Sequence, residues 1–263
     1  MFTMLLYTTY LIDLDGVIYR GNELLPGAKA FVQWLEANSK KYLFLTNNSF
    51  ATGAQILAKL EQLGIASDNV HLLTAGQAAV QYIARRSPHG AVYVVGEKPL
   101  MQLVEAQGLT VASLEAQQAD AIIVGLDRDF DYKKMTHAAN AVRAGALFVT
   151  INRDPVLPIV GGFIPGCGAL AAAIEVSSGV SPEVVGKPEP RLLLEAMHML
   201  GSQPDETAMI GDTLSVDIQA GHNAETHTIL VLSGSSSSKD LEKSSVKPDH
   251  VYEDLADMLQ KEG

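Results

Sequence analysis

The chain has 263 residues, 47% hydrophobic and 19% charged, with 22 glycines and 11 prolines, a globular composition that excludes intrinsic disorder and collagen-like repeats. Asp plus Glu (30) outnumber Lys plus Arg (19), so the net charge of −11 disfavours nucleic acid and anionic membrane surfaces as partners. Any site for a phosphorylated metabolite must be local, with a cation or metal inside a negative body. The one cysteine, Cys167, excludes an intramolecular disulfide and a thiolate zinc cluster and fits a reducing compartment.

The apolar start, Met1 to Leu14, has no Lys or Arg before it and runs into Asp13 and Asp15 instead of a small-residue cleavage site, so it predicts a buried strand rather than a signal peptide. In chain order the pattern then predicts a helix over 27–37, a strand over 42–46, helices over 52–64 and 76–86, a strand over 91–96 and a helix over 99–108. A strand over 120–125, a helix over 132–144, a strand over 146–152, helices over 168–178 and 191–200, and strands over 207–210, 228–232 and 250–252 complete it. Short apolar runs alternating with helical periods predict an α/β fold with a parallel sheet covered by helices. No apolar stretch reaches the roughly 18 residues of a membrane helix, and a soluble, cytoplasmic protein is expected. Chemistry-bearing residues gather towards both ends of the chain, which leaves the middle as an inserted unit with hinges near Leu73–Gly76 and in Ser177–Gly186. Ser233–Ser238 reads as a flexible surface loop, and Trp34 and the phenylalanines as core.

Four segments carry candidate chemistry. In Leu11-Ile-Asp-Leu-Asp-Gly-Val-Ile18 the strand period sends Asp13 and Asp15 to one side at the end of an apolar run, where open α/β sheets collect ligands. Such a pair can hold a cation, with one carboxylate attacking an electrophile and the other moving a proton; a solvated turn is the alternative. Leu43-Phe-Leu-Thr-Asn-Asn-Ser49 ends a second run with a hydroxyl and amides suited to an anion, or with an ordinary polar turn. Val185-Gly-Lys-Pro-Glu-Pro190 offers Lys187 as a fixed ammonium before a helix, or as a surface lysine. Met209-Ile-Gly-Asp-Thr-Leu-Ser-Val-Asp-Ile218 ends another strand with Asp212 and adds Asp217 near a helix start; a helix cap would explain Asp212 alone. The seven histidines lack metal-like spacing, and Cys167, between two glycines, reads as a small buried residue.

In this order, Asp13-Leu-Asp15, Thr46, Lys187 and Gly211-Asp212 with Asp217 resemble the four motifs of the haloacid dehalogenase-like (HAD) superfamily. The resemblance is closer to its class IIA, NagD-like phosphatases. It rests on Gly21 and Leu25-Pro-Gly27, Leu45-Thr-Asn-Asn48, Val124-Gly-Leu-Asp127, Pro165-Gly-Cys-Gly168 and Gly186-Lys-Pro188, and runs over nearly the whole chain. It implies a Rossmann-like core over 1–73 and 183–263, with an inserted α/β cap of the class IIA type over 74–182 that closes over the site. The implied activity is Mg²⁺-dependent hydrolysis of small phosphate monoesters such as a nucleotide, sugar phosphate, phosphoglycolate or aryl phosphate. By the same resemblance Asp13 is the nucleophile that becomes an aspartyl-phosphate, and Asp15 the general acid and then base. Mg²⁺ is held by Asp13, the Asp15 carbonyl and Asp212, with Asp217 behind them. Thr46 and the Asn47 backbone N–H hold the phosphoryl oxygens, and Lys187 neutralises Asp13 and the transferring group.

Cap residues Asp127, Asn152, Arg153 and Asp154 are implied near the substrate's other end, Arg153 meeting either substrate or a cap carboxylate. A cap of this kind can also form a homodimer interface. Two departures stand out: Asn152-Arg153-Asp154 where the family often has Asn-Pro-Asp, and Glu225 where relatives usually have Gly. Competing readings are a phosphomutase of the same superfamily, a phospho-accepting receiver domain and a silent metabolite-binding protein. The large insertion and Asp15 argue against the receiver, and the presence of both Asp13 and Asp15 against the silent protein.

Overall fold

A computed structural model describes residues 7–48, 52–65, 71–113, 118–159 and 161–262. The expectations for Met1 to Leu6 and for Ser49 fall outside them.

The first strand among the described residues is β1 (Thr9–Asp13), buried up to Ile12 and followed by a hairpin of β2 (Tyr19–Arg20) and β3 (Glu23–Leu24). In α1 (Ala28–Ala37) the buried residues Ala28, Phe31, Val32 and Leu35 recur at the helical period, so one stripe faces the core. There Phe31 stacks on the half-buried Trp34, and Tyr10 meets both rings edge-on. Next come β4 (Lys41–Thr46), α2 (Gly53–Gln62) and β5 (Leu72–Thr74). The middle of the chain holds α3 (Ala75–Arg86), β6 (Ala91–Val95), α4 (Lys98–Ala106), β7 (Thr110–Val111), β8 (Ala121–Val124), α5 (Tyr132–Arg143) and β9 (Leu147–Thr150). It continues through a hairpin of β10 (Val156–Ile159) and β11 (Gly162–Pro165), then α6 (Cys167–Ser178) and β12 (Glu183–Val184). The last third supplies α7 (Arg191–Leu200), β13 (Thr207–Gly211), a π-helical turn over Leu214–Ile218, α8 (Gln219–Asn223), β14 (His227–Val231), α9 (Ser238–Lys243), β15 (His250–Tyr252) and α10 (Leu255–Glu262).

Contacts divide the chain into two compact units. The first comprises Met1–Thr46, Gly53–Leu73 and Lys187–Gly263, and carries a six-stranded sheet in the order β15-β14-β13-β1-β4-β5, parallel from β15 through β4. The chain leaves β1 for β4 on one side and returns to β13 on the other, so the carboxyl ends of β1 and β13 flank a topological switch point, where open α/β sheets bind ligands. The second unit, Asn47–Thr52 and Thr74–Gly186, has a parallel sheet in the order β12-β9-β8-β6-β7. Its core packs Tyr93, Val95, Ile122, Val124, Phe148 and Ile174. The middle of the chain is thus an α/β body of its own.

Three expectations change in detail. The boundary placed at 182 lies four residues later, because β12 pairs with β9 and the N–H groups of Val185 and Gly186 continue that ladder onto the Thr150 and Ile151 carbonyls. Phe163 is 71% exposed on β11 rather than core, since a two-stranded hairpin has too few layers to cover both faces. Asp217 lies inside the π-helical turn instead of at a regular helix start. Glu225, where the resemblance implies glycine, adopts φ 58°, the left-handed conformation that glycine takes without strain.

Candidate active site

The strand ends of the first unit bring four of the sequence candidates into direct contact. Asp13 closes β1, and Asp212 follows the last residue of the adjacent β13. Lys187 is 4% exposed; its Nζ donates to Asp13 Oδ1 at 2.5 Å and to Asp217 Oδ1 at 2.7 Å. Asp217 Oδ2 accepts the backbone N–H groups of Asp212 (3.2 Å) and Thr213 (3.0 Å), because the π-helical turn folds its side chain back to the end of β13. Asp212 Oδ1 accepts the Thr213 hydroxyl at 3.1 Å, and Oδ2 accepts the Ser235 N–H at 2.5 Å.

Carboxylate oxygens of Asp13, Asp212 and Asp217 lie within 4.8 Å of one another, three negative groups facing one ammonium. Burial lowers the affinity of Lys187 for its proton, but Asp13 and Asp217 reverse this and hold it well above the usual lysine range, so it stays charged. Asp13 does not move in mirror image: burial raises it to about 7, and crowding by Asp217 and Asp212 offsets much of the lowering by Lys187. Burial, and then Asp217, also raises Asp212. A divalent cation fits this cluster on two grounds. It balances the excess negative charge, and the donors are all hard oxygens, the set that Mg²⁺ takes. Both oxygens of Asp217 are engaged, by Lys187 and by two backbone N–H groups, and both of Asp212 accept hydrogen bonds from neutral donors, the Thr213 hydroxyl and the Ser235 N–H, so Asp217 is the carboxylate that the ammonium neutralises.

Asp15 leaves β1 in a turn made by Gly16 at φ 83°, and its side chain is open to solvent. Partial desolvation raises its pKa, while Lys59, Lys187 and the Tyr19 hydroxyl that donates to it pull it back. Lys59 Nζ lies 3.5 Å from the centre of the Tyr19 ring. Thr46, 6% exposed, ends β4, whose Leu45 is in register with Asp13.

The remaining candidates belong to the second unit. The Asn47 carbonyl accepts from Asn152 Nδ2 at 3.1 Å, and Asn152 Oδ1 accepts the Asp154 N–H (3.1 Å) and the Cys167 thiol (2.7 Å). Asn152 therefore knots three backbone segments together. Asp154 is raised by desolvation, and burial pushes the Cys167 thiol up to about 11, away from thiolate nucleophilicity. Asp127 is buried and paired with Lys134 at 2.8 Å, and Arg153 pairs with Glu175 at 3.0 Å, the cap-carboxylate alternative of the sequence reading.

Residues that the sequence reading passed over also serve the site. Ser233–Ser238 is no loose surface loop: Ser235 and Ser236 donate to Asp212, the buried Ser236 hydroxyl accepts the Leu214 N–H at 3.0 Å, and Ser237 caps α9. A topological signal pointed there, since a loop leaving the carboxyl end of the strand beside β13 must pass Asp212. Tyr19 and Lys59 gave no such signal, because neither residue type nor spacing marks a partner of Asp15.

Known proteins match along this whole frame. A model described as haloacid dehalogenase-like hydrolase covers residues 10–110, and a second HAD-like hydrolase model covers 184–258. The chain is 36% identical over 255 residues to an acid sugar phosphatase of Staphylococcus saprophyticus, covering 97% of this chain and 98% of the relative. The chain belongs to the haloacid dehalogenase-like hydrolase family. It is also 38% identical over 253 residues to the 5′-nucleotidase YutF of Bacillus subtilis, covering 96% and 98% of the two chains. NagD from E. coli K-12 superposes with a TM-score of 0.86 at 33% identity, over 95% of this chain and 97% of that one. This HAD-like hydrolase is therefore of the NagD-like phosphatase class, a phosphoric monoester hydrolase.

Proposed function

We propose that this HAD-type phosphatase is Mg²⁺-dependent, hydrolyses small phosphate monoesters through an aspartyl-phosphate on Asp13, and uses Asp15 as acid and then base. The observation that carries it is the Lys187 ammonium bridging Asp13 and Asp217, with the Asp212 carboxylate in the same cluster. The free oxygen of Asp13 attacks phosphorus and Asp15 gives its proton to the departing alkoxide, so a poor leaving group leaves as an alcohol. Asp15, now a carboxylate, takes a proton from the water that attacks the acyl phosphate, which releases phosphate and restores Asp13. Lys187 neutralises charge accumulating on Asp13 and the phosphoryl oxygens, and Thr46 with the Asn47 N–H orients those oxygens. Asp13, Asp212 and the Asp15 carbonyl would hold Mg²⁺, which when bound supplies further positive charge to the phosphoryl group. Asp217 keeps Lys187 and the start of the 212–213 segment in place.

Residues 74–186 act in this reading as the cap, and Asp127, Asn152, Arg153 and Asp154 belong to the surface that sorts leaving groups. Relatives named for sugar phosphates and nucleotides support small phosphate esters as the substrate class. No helix among the described residues is long and apolar enough to cross a membrane, in keeping with dissolved substrates.

The test is phosphate release from a panel of sugar phosphates, nucleoside monophosphates, phosphoglycolate and p-nitrophenyl phosphate, with Mg²⁺ and with EDTA. Release that stops in EDTA and returns with Mg²⁺ is expected. Release indifferent to EDTA would overturn the metal, and rearranged phosphate esters in place of free phosphate would identify a mutase.

Lys59 supplies a pH test of Asp15. Its charge favours the Asp15 carboxylate, so Lys59→Ala should raise the Asp15 pKa and keep the acid protonated to higher pH. The alkaline limb of kcat/KM should move upward; an unmoved limb would take Asp15 out of the acid role.

A further inference from the structure

The segment after β14 wraps the Asp212 carboxylate, and one side chain from the opposite end of the chain grips it. Arg20, on β2, donates through Nη2 to the backbone carbonyls of Ser233 and, at 3.2 Å, Gly234. The Ser233 hydroxyl donates to the Gly16 carbonyl at 2.8 Å, and the Gly16 N–H to the Tyr19 carbonyl at 2.8 Å, so the turn after β1, the β2–β3 hairpin and the 233–236 segment form one closed circuit. A Cβ at either Gly16 or Gly234 would collide with the Asp212 carboxylate, which therefore lies in a slot between two glycines. With the Ser233 and Gly234 carbonyls turned out to the guanidinium, the next N–H, that of Ser235, meets Asp212 Oδ2 at 2.5 Å, and the Ser236 N–H meets the Asp212 carbonyl at 3.0 Å.

The geometry points to Arg20 as a positioning residue for the cation-binding carboxylate: by holding the Ser233 and Gly234 carbonyls it sets the orientation in which Asp212 meets a divalent cation. This rests on the proposed metal reading. Both carbonyls are met by the one nitrogen Nη2, whose two N–H groups are fixed in the guanidinium plane, whereas a lysine ammonium rotates freely as a single point of charge. Groups that orient metal ligands change metal affinity by roughly 10–100-fold when removed. Arg20 itself is exposed, so its loss leaves little unpaired in the interior.

The experiment is Mn²⁺ binding to the full chain, read by electron paramagnetic resonance of the free ion, for wild type, Arg20→Ala and Arg20→Lys, with thermal melts in EDTA alongside. Arg20→Ala is expected to bind Mn²⁺ about tenfold or more weakly, with Arg20→Lys in between. The metal-free melting temperature of both should stay within about 3 °C of wild type. Wild-type-like Mn²⁺ affinity in Arg20→Ala would overturn the assignment, as would a lowered metal-free melting temperature with unchanged affinity. Should Arg20→Ala fail to fold, wild-type affinity in Arg20→Lys would overturn the need for the guanidinium's fixed N–H groups. A wild-type chain that binds no Mn²⁺ would overturn the metal reading and this assignment together.

Discussion

Asp13→Asn is expected to lower phosphate release by on the order of 10⁴-fold or more while the chain folds normally. The amide keeps the shape of the carboxylate but has no oxygen basic enough to attack phosphorus, and Asp13 is the residue that closes β1 against Lys187. Stability should move the other way. Burial raises the Asp13 pKa from the ordinary carboxylate value of 3.8 to about 7, so the stability tied to its protonated form is complete below pH 4 and lost as pH rises through about 7. The amide carries no such penalty. Without metal, the variant should therefore melt at or above the wild-type temperature at neutral pH, and Mg²⁺ should no longer raise it. Phosphate assays and melts with and without Mg²⁺ check both halves, and activity within tenfold of wild type would remove the aspartyl-phosphate.

Lys187→Met should be the most disruptive single change in the molecule. The ammonium is buried between Asp13 and Asp217, and its removal leaves two carboxylates facing each other without a cation, a loss of about 3–5 kcal/mol for a broken buried pair. Methionine fills the space, so the effect reports charge more than volume. The sign with pH follows from the carboxylates. Without Lys187 the folded-state pKa of Asp13 rises further above its unfolded value, so the variant is most stable where Asp13 is protonated and loses ground as pH rises through neutrality. Thermal melts at pH 5 and pH 8 should show a gap to wild type that widens with pH, and catalysis should be lost at both. A gap independent of pH would mean that Lys187 acts through packing alone.

The sheet frame and the charged cluster at its strand ends were legible because they follow from two simple regularities. Apolar runs of four to six residues, as in β1, β4, β8 and β13, announce buried parallel strands, and acidic residues at the ends of two of them converge once β1 and β13 pair. What stayed hidden was structure without a period. The two-residue strands β2, β3, β7 and β12 are too short to alternate, and β12 moved the boundary of the second unit from 182 to 186. The Ser233–Ser238 run looked loose because its order comes from Asp212 and Arg20, both far away in sequence. Asp127 and Arg153 were legible as polar residues of the middle of the chain, but their ion pairs with Lys134 and Glu175 depend on helix faces that spacing alone does not align.

The pairing of β1 with β13 joins Thr9 to Thr207, residues about 200 apart, while β1 meets β4 after only some 30. A ribosome adding roughly 5–20 residues each second needs about 10–40 s to cover the longer interval. In that time the whole second unit emerges and can fold on its own contacts. Asp13 is made almost first and Lys187, Asp212 and Asp217 almost last, so a nascent chain carries Asp13 without the ammonium and carboxylates that surround it in the fold. Chemistry arrives only when the final third of the chain docks against a strand that has been waiting since the start of synthesis.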